Sequence, residues 1–266
     1  MTREELRDHL VRHRIAGDVG TPRHENLRNI GRMLADHDEY WFGLERRRDW
    51  TADEVLAVMA KRAGLDPDPA RTDGGDTIDP DLAVAQPDRW RDRLAQAAAS
   101  QERVLLATGH PTGVLSLHLH VAAALRASGA RVVVVDSRWS WPWEVENDWT
   151  RRRPRHVRCV GGVHVLATGG ELLHTHRPEP RTALLAELDG QRPALGVADH
   201  GWAGAAAEAG IDTLGLADSN DPALFVAEEE GKPVVTVPLD DNVPPHLYDP
   251  LAAHVTAGWS VLPPPA

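Results

Sequence analysis

Three short apolar runs, each ending in an acidic cluster, predict an α/β fold with a mostly parallel sheet. They read Leu195-Gly196-Val197-Ala198 into Asp199-His200-Gly201, Leu214-Gly215-Leu216-Ala217 into Asp218-Ser219-Asn220-Asp221, and residues 234–239 into Asp240-Asp241-Asn242. The acids recur about 20 residues apart, the length of a short strand–helix–strand unit. In a parallel sheet all three clusters then share one edge, at the carboxyl ends of the strands, where open α/β sheets hold their ligands. A fourth strand, residues 103–107, runs through the turn Thr108-Gly109-His110-Pro111-Thr112-Gly113 into a helix over 114–128 that stops at Gly129. The expected architecture is a Rossmann-like three-layer αβα domain over residues 101–266, with an N-terminal helical layer or cap over residues 1–100.

The elements follow from local pattern. Residues 1–13 carry Leu6, Leu10 and Val11 at helical spacing, and Thr51-Ala52-Asp53-Glu54 is a capping box for a helix reaching Gly64. Asp66-Pro67-Asp68-Pro69 opens a polar, turn-rich connection to Pro80, and a further helix is expected over 87–100. Nothing in this first third alternates like a strand. Beyond it, 131–135 reads as a strand, 157–166 as a hairpin turning at Gly161-Gly162, and 181–188 as a helix. Between 137 and 156 lies an insertion with Trp139, Trp141, Trp143, Trp149 and a run of arginines, suited to a lid, a partner surface or a loop that buries its own tryptophans.

The 266 residues are 42% hydrophobic, enough for a sizeable core, and carry a net charge of −11. That charge argues against a nucleic-acid or membrane-surface binder, because phosphate backbones and anionic lipids would be repelled. No apolar run approaches the roughly 18 residues of a membrane span, and the first residues lack the apolar core of a signal peptide. One cysteine, Cys159, excludes an intramolecular disulfide and a cysteine-based zinc site. The cytoplasm is the expected location.

The Thr108–Gly113 turn joins a strand to a helix, so its backbone N–H groups and the helix N-terminus can face an anion such as phosphate, with His110 and Thr112 adding side-chain donors. It is neither a Walker loop nor G-x-G-x-x-G, and a tight turn with a satisfied histidine is the other reading. Asp199 and His200 suit a divalent metal or an acid–base pair, unless Asp199 only caps the next helix. Asp218 stands nearer its strand end than Asp221, which precedes Pro222 as an N-cap would. Prolines follow Asp240-Asp241-Asn242, so capping accounts for that cluster less well. Carboxylates gathered on one edge repel one another and call for a cation; an oxygen-rich set of Asp199, Asp218, Asn220, Asp240, Asp241 and Asn242 suits Mg²⁺ or Mn²⁺. His174 and His176, two apart on a strand end, face one side and are either ligands or exposed hairpin residues. His118 and His120, two apart on a helix, cannot serve one site.

Residues 107–113, Val197-Ala198-Asp199-His200-Gly201-Trp202-Ala203-Gly204, residues 217–225 and Val237-Pro238-Leu239-Asp240-Asp241-Asn242-Val243 together resemble an actinobacterial-type family known generically as "phosphatase", nearly end to end. Ala198-Asp199-His200-Gly201 also resembles a metal-binding phrase of the alkaline-phosphatase superfamily, although no Ser/Thr nucleophile beside an N-terminal metal ligand is identifiable. The Asp/Asn clusters are similar to those of metal-dependent damage-control phosphatases. The family label is generic and carries no substrate or mechanism; the residues themselves make a metal-dependent phosphomonoesterase acting on a small phosphorylated metabolite the leading expectation. Gly109, His110, Thr112 and Gly113 would hold phosphate, the six oxygen donors would hold the ion, and Asp199, His200 and Asp218 would act in catalysis. Water or an aspartate is the nucleophile. A non-catalytic module binding a phosphorylated metabolite or nucleotide, and a sugar-phosphate isomerase or lyase, are the alternatives.

Overall fold

A computed structural model describes residues 1–37, 39–141, 154–188 and 190–259. In chain order the elements are α1 (Arg3–Arg12), β1 (Gly17–Pro22), α2 (Arg23–Leu34), α3 (Ala52–Ala63), β2 (Gly75–Ile78), α4 (Leu82–Ala99), β3 (Arg103–Thr108), α5 (Pro111–Ala127), β4 (Arg131–Val132), β5 (Ser140–Trp141), β6 (Arg155–Val160), β7 (Val163–Thr168), β8 (Glu171–Leu173), α6 (Glu179–Glu187), β9 (Leu195–Asp199), α7 (His200–Glu208), β10 (Asp212–Ala217), α8 (Pro222–Glu229), β11 (Val234–Pro238) and α9 (Asp249–Val255).

The large sheet runs β11-β10-β9-β3-β7-β6-β5. Strands β11, β10, β9, β3 and β7 pair in parallel, while β6, β5 and β8 extend the β7 side antiparallel. β4 meets β3 at Arg103 and Val104, and β7 takes over from Leu106 onward. Helices cover both faces, giving the expected three-layer αβα arrangement. The central strands β3, β9 and β10 are buried almost throughout, which is why they read as continuous apolar runs rather than alternating ones. The carboxyl ends of β3, β9, β10 and β11 come out side by side, and each leads directly into the turns that carry the acids.

The first third differs from expectation in one respect: β1 and β2 form a two-stranded antiparallel sheet. Glycine, proline and bulge geometry hide its alternation, with the register shifting between Asp18 and Pro22. The capping boxes at Thr2 and Thr51 are both formed, and α4 begins before Pro87, which it accommodates inside. One apolar cluster joins Leu6, Leu10, Ile15 and Val19 of this region to Val104, Leu106, Val197 and Leu216 of the main sheet. The Trp/Arg insertion lies for its greater part outside the described residues.

β1, β2 and α2 are tied by a buried ion pair. Arg23 Nη1 donates to Asp76 Oδ2 at 2.7 Å, with both side chains fully buried, and Asn26 Nδ2 and Arg71 Nη2 donate to the same carboxylate. Removing one partner strands the other charge in a low-dielectric interior. Asp76→Ala is therefore expected to lower stability by about 3–5 kcal/mol, read from urea unfolding midpoints. A loss under about 1 kcal/mol, the range of an exposed pair, would show that Arg23 finds water when its partner is gone.

Candidate active site

The strand ends and the N-terminal region enclose a cavity of about 650 Å³. Its deep wall presents His110 from the β3–α5 turn, His174 and His176 from the loop after β8, His200 at the start of α7, Asp218 and Asp221 after β10, and Asp240 and Asp241 after β11. Gly20, Thr21, Asn29 and Tyr40, from β1, α2 and the loop after it, form the facing wall.

Close backbone approaches bring these groups together. A Cβ on Gly109 would stand 2.3 Å from the carbonyl oxygen of Thr175; without one, Thr175 N–H donates to Gly109 O at 2.8 Å. That bond pins the loop carrying His174 and His176 beside His110. The His110 and His174 rings stack at 4.4 Å between centroids, as do His176 and His200. Phe42, buried and with φ of +57°, sets its ring edge-on to His176 and His200 at 5.4 and 5.5 Å. Nitrogens of His110, His174 and His200 lie within 4.8 Å of one another, and so do one atom each from His176, His200 and Asp221.

His200 is the centre of this group. Its φ of +46° is left-handed, uncommon for a residue with a side chain. Nδ1 donates to Asp199 Oδ1 at 2.9 Å, and Nε2 lies 3.2 Å from Asp221 Oδ2 and 3.5 Å from Asp241 Oδ2. Burial opposes a charge on this ring, but Asp221, Asp199 and Asp241 outweigh it and raise its pKa well above 6.5. Asp199 and Asp221, although buried, are held below the ordinary aspartate range by the same imidazole. His174 and His176 are lowered to about 4 and about 3, by burial first and by neighbouring histidines second, so both are neutral near pH 7. Burial and the charges of Asp241, Asp240 and Asp221 push Asp218 well above its usual value.

The residues singled out from sequence take different places. Asp199 lies fully buried under the cavity, not in its wall. It accepts from Gly109 N–H at 2.6 Å and from His200, and it does not cap α7. Asp221 heads α8 without a side-chain capping bond, so its carboxylate is free to face His200. Asp218 accepts from Thr21 Oγ1 at 2.8 Å and from Ser219 N–H, while Asp240 accepts from Gly20 N–H and Asn242 N–H. Asn220 and Asn242 line the cavity. The phosphate cradle expected at 108–113 is not formed as pictured. Gly109 N–H is taken by Asp199, Gly113 N–H donates to His110 O, and Thr112 is exposed and away from the cavity lining. Gly113 instead permits the close approach of the Asp241 carbonyl, which would meet a Cβ at 2.0 Å. Four imidazoles share the space with the oxygen donors expected from sequence. His118 is buried with Nδ1 on the carbonyl of Val114 and His120 faces outward, so the pair does divide between two environments.

Three buried atoms of the lining lack a well-formed hydrogen bond: Asn29 Oδ1, His110 Nδ1, which faces Asp241 Oδ1 at 3.1 Å, and Asp241 Oδ2, which faces His200 Nε2 at 3.5 Å. Native interiors leave few such atoms, and the exceptions mark places where an ion, water or ligand belongs. Two triads that share His200, one with His110 and His174 and one with His176 and Asp221, have donor atoms spaced closely enough to hold a divalent cation.

A protein of Streptomyces coelicolor named Phosphatase SCO2771 is 46% identical over 260 residues, covering 96% of this chain and 95% of its own length. No solved structure matches. The family described as Phosphatase matches residues 1–260, and the chain belongs to that family.

Proposed function

We propose that this phosphatase is metal-dependent and hydrolyses a small phosphorylated molecule in the cavity bounded by His110, His174, His176, His200, Asp221 and Asp241. The observation that carries the reading is the meeting of four imidazoles and these two carboxylates in one cavity. Mixed nitrogen and oxygen donors suit Mn²⁺, Fe²⁺, Co²⁺ or Zn²⁺ better than Mg²⁺, which demands oxygen and water. Such an ion, when bound, supplies Lewis acidity to the phosphoryl oxygens.

The chain's own residues prepare that chemistry. Asp199 takes the Nδ1 proton of His200 as a hydrogen bond and so aims Nε2 into the cavity, the usual arrangement behind a ligating histidine. Burial and the neighbouring histidines keep His174 and His176 uncharged, and their Nε2 atoms share a hydrogen bond of 3.1 Å. Asp218, held by Thr21 and Ser219 and with its pKa raised by burial and its acidic neighbours, is the candidate to pass a proton to the leaving oxygen. The cavity of about 650 Å³ is of a size for a metabolite-sized ester.

Two outcomes are expected. Asp199→Asn weakens Mn²⁺ and Zn²⁺ binding by about 10–100-fold, the usual effect of losing the partner behind a ligating histidine, and His176→Ala weakens it at least as much. Calorimetric titration measures both, alongside phosphate release from an ester panel with and without each ion. Unchanged binding and turnover in both variants would remove the metal reading, and metal binding without release of phosphate from any ester would favour a binding module. The second concerns pH. The raised pKa of His200 means that Nε2 holds a proton near neutrality, which a cation must displace. Metal affinity therefore rises with pH above the ordinary imidazole value of 6.5, and uptake releases a proton. In the metal-free protein the same charged ring stabilises the fold below 6.5, and that contribution fades as pH climbs through the higher folded value. Titrations in buffers of different ionisation enthalpy count the proton; an affinity flat between about pH 6 and 8 would contradict the assignment.

A further inference from the structure

We infer that the mouth of the cavity carries a second anion subsite, built on Arg14 and Arg28, which selects phosphate esters bearing another acidic group at the end remote from the scissile phosphate. The inference rests on the phosphatase reading of the inner site and adds the class of substrate.

Charge is unevenly divided across this one cavity. The strand-end wall holds Asp218, Asp221, Asp240 and Asp241, whereas the lining contributed by the N-terminal region holds Arg14 and Arg28 with one carboxylate, Glu25. In a chain with a net charge of −11, two arginines lining the same opening stand out. Arg14 forms no ion pair among the described residues. Its Nε and Nη2 donate only to backbone carbonyls, Asp18 O at 3.0 Å and Val19 O at 2.9 Å, which leave its charge uncompensated. Its φ of +58° is left-handed, a conformation glycine or asparagine adopts with less strain. The turn leaving α1 nonetheless places an arginine there, anchored at the opening by those two bonds. Arg28 reaches only Glu25, at 3.2 Å and three residues away on the same helix, in a largely exposed pair that competes weakly with a better anion.

A guanidinium meets a carboxylate or phosphate through two parallel N–H donors, with more energy and orientation than a solvated point charge provides. With the phosphate to be cleaved at the histidine end, a small ester has its other end at this mouth. A second carboxylate or phosphate is then the group that satisfies both arginines.

The test is calorimetric binding of three probes to the full chain in the presence of MnCl₂. The probes are methyl phosphate, phosphoglycolate and propane-1,3-diol bisphosphate, carrying respectively no second acid, a carboxylate and a phosphate. One or both of the doubly acidic probes should bind about tenfold more tightly than methyl phosphate, the fold-change that one charge-assisted contact provides. Whichever gains more identifies the second group. Arg28→Gln and Arg14→Gln should each cut that preference to about threefold or less, and Arg14→Lys should retain more of it than Arg14→Gln. Thermal melts confirm that each variant is folded. Equal binding of the three probes by the wild-type chain overturns the subsite. So does a preference that survives in both Gln variants, or a loss equal for all probes, which would mark general steering of anions. The binding ratio does not depend on turnover. A chain that shows the preference but releases no phosphate from any ester would refute the phosphatase reading and leave the subsite standing.

Discussion

The imidazole of His200, clamped between Asp199 beneath it and Asp221 and Asp241 in front, is the contact on which the rest of the site depends. Three aspartates packed this closely in a buried wall repel one another, and desolvation penalises each charge separately. One cationic ring touching all three reduces both costs. The ring can do so only because α7 begins with a left-handed residue, which turns the side chain back toward the strand ends. The backbone strain and the electrostatic relief belong to the same residue, as expected where structure is specialised for chemistry.

The N-terminal third completes the site and is more than a cover. Thr21 donates to Asp218, Gly20 N–H to Asp240, Asn29 to Asn220 O, and Asp240 N–H reaches Ile15 O. Each acidic loop after β10 and β11 is therefore held by a bond from β1, α2 or the turn leading into them. These bonds fix the acids without neutralising them, because the donors are uncharged. The buried Arg23–Asp76 pair anchors that scaffold in turn. A wall built this way is rigid on both sides of the cavity, which limits the reorganisation needed when an anion and a cation meet between them.

The sheet and the acidic rim were legible in sequence because strand–helix–strand spacing is a local, periodic signal. Runs ending in Asp199, Asp218 and Asp240 report strand ends whatever the rest of the chain does. What spacing does not report is contact between distant segments. His174 and His176 reach the rim through an antiparallel extension, β7 to β8, and a single bond from Thr175 to Gly109. Sequence left them balanced between ligands and surface residues. Asp221 before Pro222 matches a helix cap in every local respect; only the proximity of His200 turns its carboxylate elsewhere. The glycines of the 108–113 turn read as a phosphate cradle, yet they serve close packing. Their N–H groups were spoken for by Asp199 and His110, partners that local pattern could not name.

Phe42 shows how far such a dependence extends. It lies between α2 and α3 in a loop with no sequence motif, yet its ring edge meets both His176 and His200. Its backbone presses against α7 so closely that a Cβ on Gly204 would stand 2.1 Å from the Phe42 carbonyl oxygen. The glycine in the middle of α7, costly to helix stability by propensity alone, is thus required by the loop that orients the imidazoles. The two T-shaped contacts fix the tilt of both imidazole rings against the Phe42 ring. Apolar packing in the N-terminal layer and ring orientation at the strand ends are in this sense one design constraint, satisfied by residues far apart in the chain.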